Sequence, residues 1–358
     1  MPSPDTIILA SAGSGKTTDI IGAACVGSTD RTSLVTYTIN GRAEFSKKAY
    51  EQFGAIPPHV TLNTWYTFLL QHFVRPYQNH LYTPRVAGIN FKRGQSARYV
   101  KATDVERFYF SSPGRIYLDK VSKFACAVIE KTDGLPIKRF EAIYERLFID
   151  EAQDLSGYDL DLLEYLLRSN VRITLVGDHR QSTYTTNDSA RNKKYARVRI
   201  VDKFEQWEKA GLCTITYQTH SHRCIQAICD FADLFHPGFP KTESLNKTVT
   251  DHDGVFLVEK SNVQAYRDAF NPQPLRYNRA QLGIPGRPIN YGASKGMTFE
   301  RTLIYPHTPL KKFLKTGKLE DAGKEIPKIY IAVTRTKQSV AFVVPDRFDS
   351  AILPTFRI

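Results

Sequence analysis

The chain has 358 residues, of which 49 are Lys or Arg and 36 are Asp or Glu, and its formal net charge at pH 7 is +13. This length is enough for two α/β domains of ordinary size, and the basic balance favours partners with phosphate backbones. The five cysteines have no metal-ligand spacing, their odd number argues against a disulfide framework, and no apolar run approaches the roughly 18 residues of a membrane helix. We therefore expect a cytoplasmic protein with no membrane segment.

The first informative stretch is an apolar run at 6–9 followed by ASAGSGKTT at 10–18. It predicts a strand, a glycine-rich loop and a helix that begins near Lys16, an arrangement that binds phosphate groups. In such a loop backbone N–H groups and the lysine contact a polyphosphate, and the following threonine holds Mg²⁺. A chance Gly/Ser/Lys turn is the alternative. The candidate nucleotide-binding residues are Ala12, Gly13, Ser14, Gly15, Lys16, Thr17 and Thr18.

Apolar runs alternate with helical patterns along the first half of the chain, as parallel βαβ units require. Five leucines give an apolar stripe to a predicted helix at 159–168. A Pro/Gly-rich stretch at 271–288 has no clear period and is predicted to be a loop. Strands are predicted in the first half at 6–10, 33–38, 146–150 and 172–178. In the second half strands are predicted at 213–217, 254–259, 301–305 and 339–344, and helices at about 224–235 and 329–336.

Between residues 91 and 124, eight Lys or Arg are interleaved with seven aromatic residues. Basic groups beside rings that can stack on bases are typical of proteins that hold single strands without reading their sequence. The alternative is a hairpin turning at 112–114, with its rings in its own core and its charges in solvent. The sequence leaves both interpretations open.

Two adjacent acids, Asp150 and Glu151, follow the apolar run at 146–149. Next to a phosphate-binding loop, Asp150 would hold Mg²⁺ and Glu151 would orient or deprotonate an attacking water. A solvated turn, or the start of the next helix, is the alternative. The pair predicts nucleotide hydrolysis rather than nucleotide binding alone.

Together with the glycine-rich loop, DEAQD at 150–154 resembles the UvrD/Rep family of superfamily 1 helicases. The resemblance implies two RecA-like P-loop NTPase lobes, an α/β fold with parallel sheets, with ATP and Mg²⁺ as nucleotide and cofactor. It also implies accessory insertions that are small or absent, because little chain separates the motifs. The further segments that resemble the family's motifs, in the same order, are LVTYTIN (34–40), TLNTWYTF (61–68), LVGDHRQSTY (175–184), HR (222–223), KGMTF (295–299) and YIAVTRT (330–336).

The resemblance also implies roles for individual residues. Gln181 would contact the γ-phosphate region, and Arg223 and Arg335 would be arginine fingers. His222 stands where the family has an adenine-stacking tyrosine, and it could stack or simply pack. The catalytic candidates are therefore Lys16, Asp150, Glu151, Gln181, Arg223 and Arg335, and the metal ligands are Thr17 and Asp150.

Single-stranded DNA is the partner that the resemblance implies. Trp65 and Tyr184 would stack on bases, although a buried aromatic is the alternative for each. The remaining candidates would contact the DNA backbone, with Lys295 favoured among them. The DNA-binding candidates are Thr38, Asn40, Thr64, Trp65, Tyr184 and Lys295.

The sequence departs from the family pattern around the nucleotide base. No room precedes the first strand for the Asn-x-x-Gln segment that reads adenine, and Gly292 and Thr298 replace a histidine and a glutamate of the Lys-Gly motif. We therefore expect loose nucleotide specificity.

The predicted domains are a first lobe at 1–185, with a short insertion at about 75–140, and a second lobe at 186–358, with a short insertion at about 236–290. A DNA-stimulated ATPase that translocates along or unwinds single-stranded DNA, with the family's 3′ to 5′ direction, is the favoured function. The alternatives are a motor subunit that needs a protein partner such as a nuclease, and a nucleotide-gated DNA-binding module without turnover. No nuclease constellation follows Arg335, so any cleavage would come from another chain.

Overall fold

The computed structural model describes residues 5–26, 29–92, 94–183, 185–187 and 189–357. The chain forms two units, the first from Met1–Leu9 and Lys16–Thr216 and the second from Ala10–Gly15 and Tyr217–Ile358. The division thus lies later than the predicted boundary at 185/186, and the glycine-rich segment is grouped with the second unit. Within the described ranges, no helix combines the length and apolar content that a membrane crossing needs.

A parallel sheet forms the centre of the first unit. The strands of this unit are β1 (Thr6–Ala10), β2 (Thr32–Thr36), β3 (Val60–Thr64), β4 (Gly88–Asn90), β5 (Phe110–Ser112), β6 (Arg115–Tyr117), β7 (Arg146–Ile149), β8 (Arg172–Gly177) and β9 (Thr214–Gln218). The large sheet has the order β3-β2-β7-β8-β1-β9, and the pairs from β3 to β1 are parallel. The four strands predicted in the first half are confirmed as β1, β2, β7 and β8.

The predicted strand at 213–217 exists as β9, but its place in the second lobe was wrong. It is hydrogen-bonded next to β1 at the edge of the first sheet. Most of its side chains are exposed or half-buried, as an edge position allows. Its sequence therefore carries little information about which sheet it joins.

The helices of the first unit follow the predicted alternation with strands. They are α1 (Lys16–Cys25), α2 (Ile39–Phe53), α3 (Trp65–Leu69), α4 (Val105–Tyr109), α5 (Val121–Lys131), α6 (Leu135–Ile143), α7 (Tyr158–Leu167) and α8 (Ile200–Lys209). The five leucines of the predicted helix 159–168 are all buried in α7, which confirms that apolar stripe. A π-helical turn, Leu70–Val74, continues α3.

The region predicted as the first insertion, about 75–140, contains a small sheet of order β4-β6-β5. Strands β5 and β6 are antiparallel and flank residues 113–114, which confirms the hairpin interpretation. Phe124 and Phe140 are fully buried, so α5 and α6 belong to the core of the first unit rather than to a separate insertion. The accessory part is thus limited to the small sheet and α4.

A second parallel sheet forms the centre of the second unit, with the order β12-β16-β15-β13-β14. The strands of this unit are β10 (His220–Ser221), β11 (Glu243–Ser244), β12 (Gly254–Glu259), β13 (Gln273–Arg276), β14 (Ile289–Asn290), β15 (Phe299–Tyr305) and β16 (Thr336–Val344). The helices are α9 (Gln226–Asp233), α10 (Val263–Phe270), α11 (Thr308–Thr316) and α12 (Ile326–Val333). The predicted α/β class with parallel sheets is confirmed.

Two expectations for this unit were wrong. The range 236–290 is no insertion, because it supplies β12, β13 and β14 to the central sheet. The stretch 271–288 is not all loop, because β13 lies within it and pairs with β14 and β15. Pro274, inside β13, lacks a backbone N–H and breaks the usual strand pattern, which is why the sequence predicts a loop there.

Candidate nucleotide and nucleic-acid site

The glycine-rich loop joins β1 to α1, and α1 begins at Lys16 as predicted. Gly13 and Gly15 have φ values of 77° and 91°, which favour glycine. A Cβ atom on Gly13 would lie 2.7 Å from the Cβ of Arg223 and 2.8 Å from the Oγ of Ser221. Glycine is therefore required at Gly13 both by the backbone and by its neighbours.

Backbone contacts fix the loop against the start of the second unit. The N–H of His222 donates to the carbonyl oxygen of Gly13 at 2.9 Å, and the Oγ of Ser221 donates to that of Ala12 at 2.8 Å. The N–H of Ser11 donates to Gln218 at 2.8 Å. Ala12 and Ser14 are buried, so the small side chains of the loop are part of the packing.

The acid pair lies at the carboxyl end of β7. Asp150 is 6% exposed, and its Oδ1 accepts the N–H of Glu151 at 2.9 Å. Lys16 Nζ lies 3.7 Å from Glu151 Oε1, and the side chain of Gln153 donates to the other Glu151 oxygen. The burial of Asp150 does not fit the solvated-turn alternative, because an ionised carboxylate is buried only with charged or hydrogen-bonding partners.

A second polar group surrounds Asp178, at the end of the neighbouring strand β8. Gln181 Nε2 donates to Asp178 Oδ2 at 2.8 Å, and the Nε of Arg180 donates to Oδ1 at 3.1 Å. Burial raises the pKa of Asp178, but the charge of Arg180, the neighbouring His179, the charge of Lys16 and the hydrogen bond from Gln181 outweigh it and hold that pKa below the ordinary value. Asp178 is therefore a fixed negative charge that orients Gln181.

Gln153 connects the two acidic groups. It donates to Glu151, and its Oε1 accepts the N–H of Asp178 at 3.0 Å. A Cβ atom on Gly177 would collide with that Oε1, so glycine at this position lets the side chain reach the strand. The structure thus brings Lys16, Glu151 and Gln181 into one hydrogen-bonded network.

The two candidate arginine fingers meet at one residue of the second unit. Arg223 Nη1 donates to the carbonyl oxygen of Thr334 at 3.0 Å, and Arg335 Nη2 lies 3.3 Å from the Thr334 hydroxyl. Arg335 is 3% exposed, between α12 and β16. His222 is exposed, and its ring makes an edge contact with His220 at 5.3 Å, which favours stacking over packing in the core.

The residues proposed to hold Mg²⁺ have suitable chemistry. Mg²⁺ prefers oxygen ligands, and Thr17 and Asp150 offer a hydroxyl and a carboxylate. Thr17 lies in the first turn of α1, directly after Lys16, and the exposed Thr18 follows it. The donor set therefore fits a magnesium nucleotide.

Trp65 was predicted to stack on bases, and the structure corrects this. Its ring is 1% exposed, and its Nε1 donates to the buried Asp159 at 3.0 Å. The buried-aromatic alternative therefore applies to Trp65. Tyr184, the other predicted stacking residue, lies outside the described residues.

The remaining DNA candidates lie at strand ends or loops. Thr38 and Asn40 are exposed at the start of α2, where the Thr38 hydroxyl caps the helix by accepting the N–H of Gly41 at 2.9 Å. Thr64 ends β3, and its hydroxyl contacts that of Thr67 at 2.9 Å. Lys295 is half-buried before β15.

Tyr37 and Tyr66, which the sequence analysis did not select, form an aromatic group with Phe91 of the basic segment. The rings of Tyr37 and Tyr66 are 6.0 Å apart, and those of Tyr66 and Phe91 are 6.3 Å apart. Phe91 is 67% exposed. Tyr37 and Tyr66 adjoin Thr38 and Trp65 in sequence, which was a usable signal, but only the fold brings Phe91 to them.

In the basic segment at 91–124 the hairpin alternative accounts for the buried rings, and the strand-holding interpretation stays a prediction for the exposed residues. Phe108, Tyr109, Phe110 and Phe124 are buried as the hairpin alternative predicts, whereas Phe91 and Tyr99 are exposed. Lys92, Arg98 and Lys101 are also exposed, and Arg93 lies outside the described residues. Farther along the segment, Arg107 and Arg115 are exposed as well.

Strand β1, the glycine-rich loop, α1 and the acid pair after β7 of the same sheet define the P-loop class of nucleotide-binding proteins. Residues 1–187, more than half of the chain, match the model of the AAA domain family AAA_19, and the chain belongs to that family. This family is found in UvrD/Rep-like superfamily 1 helicases, so the predicted superfamily is confirmed, while the narrower UvrD/Rep type stays a prediction.

The chain is also similar to solved helicase structures. Arterivirus nonstructural protein 10 (helicase) in complex with DNA has 14% identity and a TM-score of 0.49, over 96% of this chain and 61% of that chain. A crystal structure of arterivirus nonstructural protein 10 (helicase) has 15% identity and a TM-score of 0.48, over 96% of this chain and 60% of that chain. The PRRSV helicase has 17% identity and a TM-score of 0.45, over 96% of this chain and 53% of that chain. The chain thus spans less than two thirds of each. No curated protein matches it.

Proposed function

We propose that this chain is an ATP-driven motor of the UvrD/Rep type that moves along single-stranded DNA, in the 3′ to 5′ direction that the family resemblance implies. The observation that carries the proposal is the network in which Lys16 Nζ lies 3.7 Å from Glu151, with Gln181 bound to Asp178 beside it. These are the phosphate-binding lysine, the candidate base and the candidate γ-phosphate sensor of one hydrolytic site.

The roles follow from charge and position. Lys16 and the N–H groups of the loop would bind the phosphates, and Thr17 and Asp150 would hold Mg²⁺, which neutralises charge on the phosphate oxygens. Glu151 would then exchange its contact with Lys16 for an attacking water. Arg223 is next to Gly13 of the loop, which suits a group that stabilises transition-state charge.

The proposed nucleic-acid contacts are Thr38, Asn40, Thr64 and Lys295, with the rings of Tyr37, Tyr66 and Phe91 as stacking surfaces. Stacking on exposed rings is tolerant of sequence, because every base has a π-face. The +13 net charge supports a strong contribution from the phosphate backbone.

ATP hydrolysis with and without single-stranded DNA tests the proposal, with single-stranded RNA as a parallel arm. We expect DNA to stimulate the wild type and Lys16→Ala to lose both nucleotide binding and turnover. Glu151→Gln should still bind ATP and DNA but turn over at least ~10²-fold more slowly, because it loses a positioned base. Glu205→Gln, an exposed change on α8, is the control.

Hydrolysis that responds to neither strand would contradict the motor and favour a nucleotide-gated module or a chain that needs a protein partner. Near-normal hydrolysis by Lys16→Ala would overturn the site. Preferential stimulation by RNA would reassign the substrate while leaving the hydrolytic site intact.

A further inference from the structure

A cavity of about 600 Å³ lies in the second unit, and the end of the KGMTF segment forms part of its lining. Three segments line it: the end of α10 with the start of β13, the loop at 286–287, and residues 298–301 at the start of β15. Its rim includes Thr298, three residues after the backbone-contact candidate Lys295. The cavity lining therefore begins three residues after one proposed contact with the strand.

Three arginines line this cavity, and among the described residues two of them have no ion-pair partner. Arg301 is engaged by Asp251 at 2.8 Å and by the hydroxyl of Thr250 at 2.9 Å. Within the part of the chain that the structure describes, neither Arg267 nor Arg287 has a carboxylate within 4.0 Å. Two guanidinium groups thus contribute uncompensated positive charge to one concave surface.

The acids of the cavity are already engaged. Glu300 pairs with Lys337 at 2.6 Å, and Asp268 accepts a hydrogen bond from Gln264 at 2.8 Å. Lys337 neutralises Glu300, whereas the neutral Gln264 leaves the charge of Asp268 in place, so the three arginines still outnumber the acids of the lining. The cavity as a whole favours an anion.

The guanidinium of Arg267 and the main chain at Arg287 each have a contact that positions them. The guanidinium of Arg267 lies against Gly286, where an added Cβ atom would be 3.1 Å from its Nη2. Gln273 Nε2 donates to the carbonyl oxygen of Arg287 at 2.9 Å, which ties the loop to β13. Less side-chain and loop entropy is then lost when an anion binds.

From these observations we propose that Arg267 and Arg287 form a binding site for phosphodiester groups of the single strand, in addition to the contact proposed for Lys295. This site deepens the proposed function and rests on it. Guanidinium groups bind phosphate oxygens through paired N–H donors, and a cavity of this size admits a backbone segment. The site would hold the strand to the second unit independently of nucleotide binding.

The test compares the full-length double variant Arg267→Gln/Arg287→Gln with the control Arg279→Gln/Lys315→Gln, which removes the same charge from exposed positions outside the cavity. Binding of a fluorescent oligo-dT is measured across a salt series. We expect about tenfold weaker binding for the double variant, and a log–log salt slope that is smaller by about 1.4, from two lost phosphate contacts on a single strand. ATP hydrolysis without DNA should equal that of the control.

Equal affinities and slopes for the two double variants would overturn this site while leaving the motor proposal intact. Failure of the wild type to bind the oligonucleotide would instead contradict the proposed function. Inorganic phosphate and ATP serve as competitors, and displacement of the DNA by millimolar phosphate in the wild type alone would reassign the cavity to free phosphate. If the double variant melts below its control, Arg287→Gln is compared with Arg279→Gln, both single changes at exposed positions, and the expected decrease in slope is about 0.7.

Discussion

Asp159 of α7 is fully buried and is the acceptor at the centre of a polar cluster in the first unit. It receives hydrogen bonds from Trp65 Nε1 at 3.0 Å and from the hydroxyls of Ser122 and Thr186. Burial raises the pKa of Asp159, although each of these donors acts in the opposite direction. The indole is thus both a core side chain and a donor that this carboxyl group needs.

We therefore predict that Trp65→Phe lowers the free energy of unfolding by about 1–3 kcal/mol, because a buried acceptor loses a donor. Affinity for single-stranded DNA should stay near that of the wild type.

Phe91→Ala, which truncates a ring that is 67% exposed, should show the reverse pattern, with normal stability and weaker binding of single-stranded DNA. Urea unfolding and oligonucleotide titration distinguish the two. Weak binding by a stably folded Trp65→Phe protein would restore the stacking role.

At the scale of elements, α7 and α8 are joined through one carboxylate. Glu164 on α7 accepts hydrogen bonds from Lys203 Nζ at 2.9 Å and Trp207 Nε1 at 3.1 Å, both on α8, and from Arg168 at 3.1 Å. This contact explains why the first unit extends past the predicted boundary at 185. The helix that follows that boundary is tied to α7.

The carboxylate of Glu164 makes the stability of the fold depend on pH. Burial alone would raise the pKa of Glu164, but the bonds from Lys203, Trp207 and Arg168 lower it from 4.5 to about 2. Because the folded-state pKa is depressed, the stabilisation is present above pH 4.5 and is lost as the pH falls towards 2. We expect Glu164→Gln to lower the free energy of unfolding by about 1 kcal/mol at pH 7, a value reduced because the side chain is partly exposed. This difference from the wild type should shrink as the pH falls towards 2.

Urea unfolding from pH 7 down to pH 3 measures this difference, with Glu205→Gln on α8 as the control. A cost for Glu164→Gln that is constant over the whole range would show that the ionised carboxylate does not join the helices.

For the whole molecule, the small size of the accessory parts matters most. The first unit adds only a three-stranded sheet and α4 to its parallel core. The range 236–290, predicted as the second insertion, supplies strands to the central sheet of the second unit. Within the described residues, no separate accessory domain is present to grip a duplex. A strand path and a hydrolytic site suffice for translocation, whereas melting needs an element that holds the fork.

We therefore predict that the chain alone translocates on single-stranded DNA but separates duplexes poorly. Opening each base-pair step must offset about 1.4 kcal/mol of stacking. A fluorescence assay on a long tailed duplex, beside displacement of a protein block from single-stranded DNA, measures both activities. Rapid, processive unwinding by the monomer would show that the small sheet β4-β6-β5 is a sufficient wedge.

The sequence alone determined the features that depend on local geometry. The glycine-rich loop needs positive φ at Gly13 and Gly15 and a helix that starts at Lys16. The nine consecutive residues 10–18 are sufficient to predict all of these features. Short apolar runs indicated β1, β2, β7 and β8, because strands buried on both faces of a parallel sheet are rich in apolar residues, although β2 (TSLVT) is fully buried with only two of them. The acid pair followed from its place at the end of such a run.

Only the tertiary structure decided which side chains meet and which are exposed. Trp65 and Tyr66 are neighbours in sequence, yet one is buried on Asp159 and the other contacts Phe91, because a helix directs successive side chains to different surroundings. Strand β9 joined the first sheet and β13 formed despite Pro274, because strand pairing depends on hydrogen bonds to distant segments. The cavity around Arg267 and Arg287 likewise exists only where α10, β13 and β15 come together.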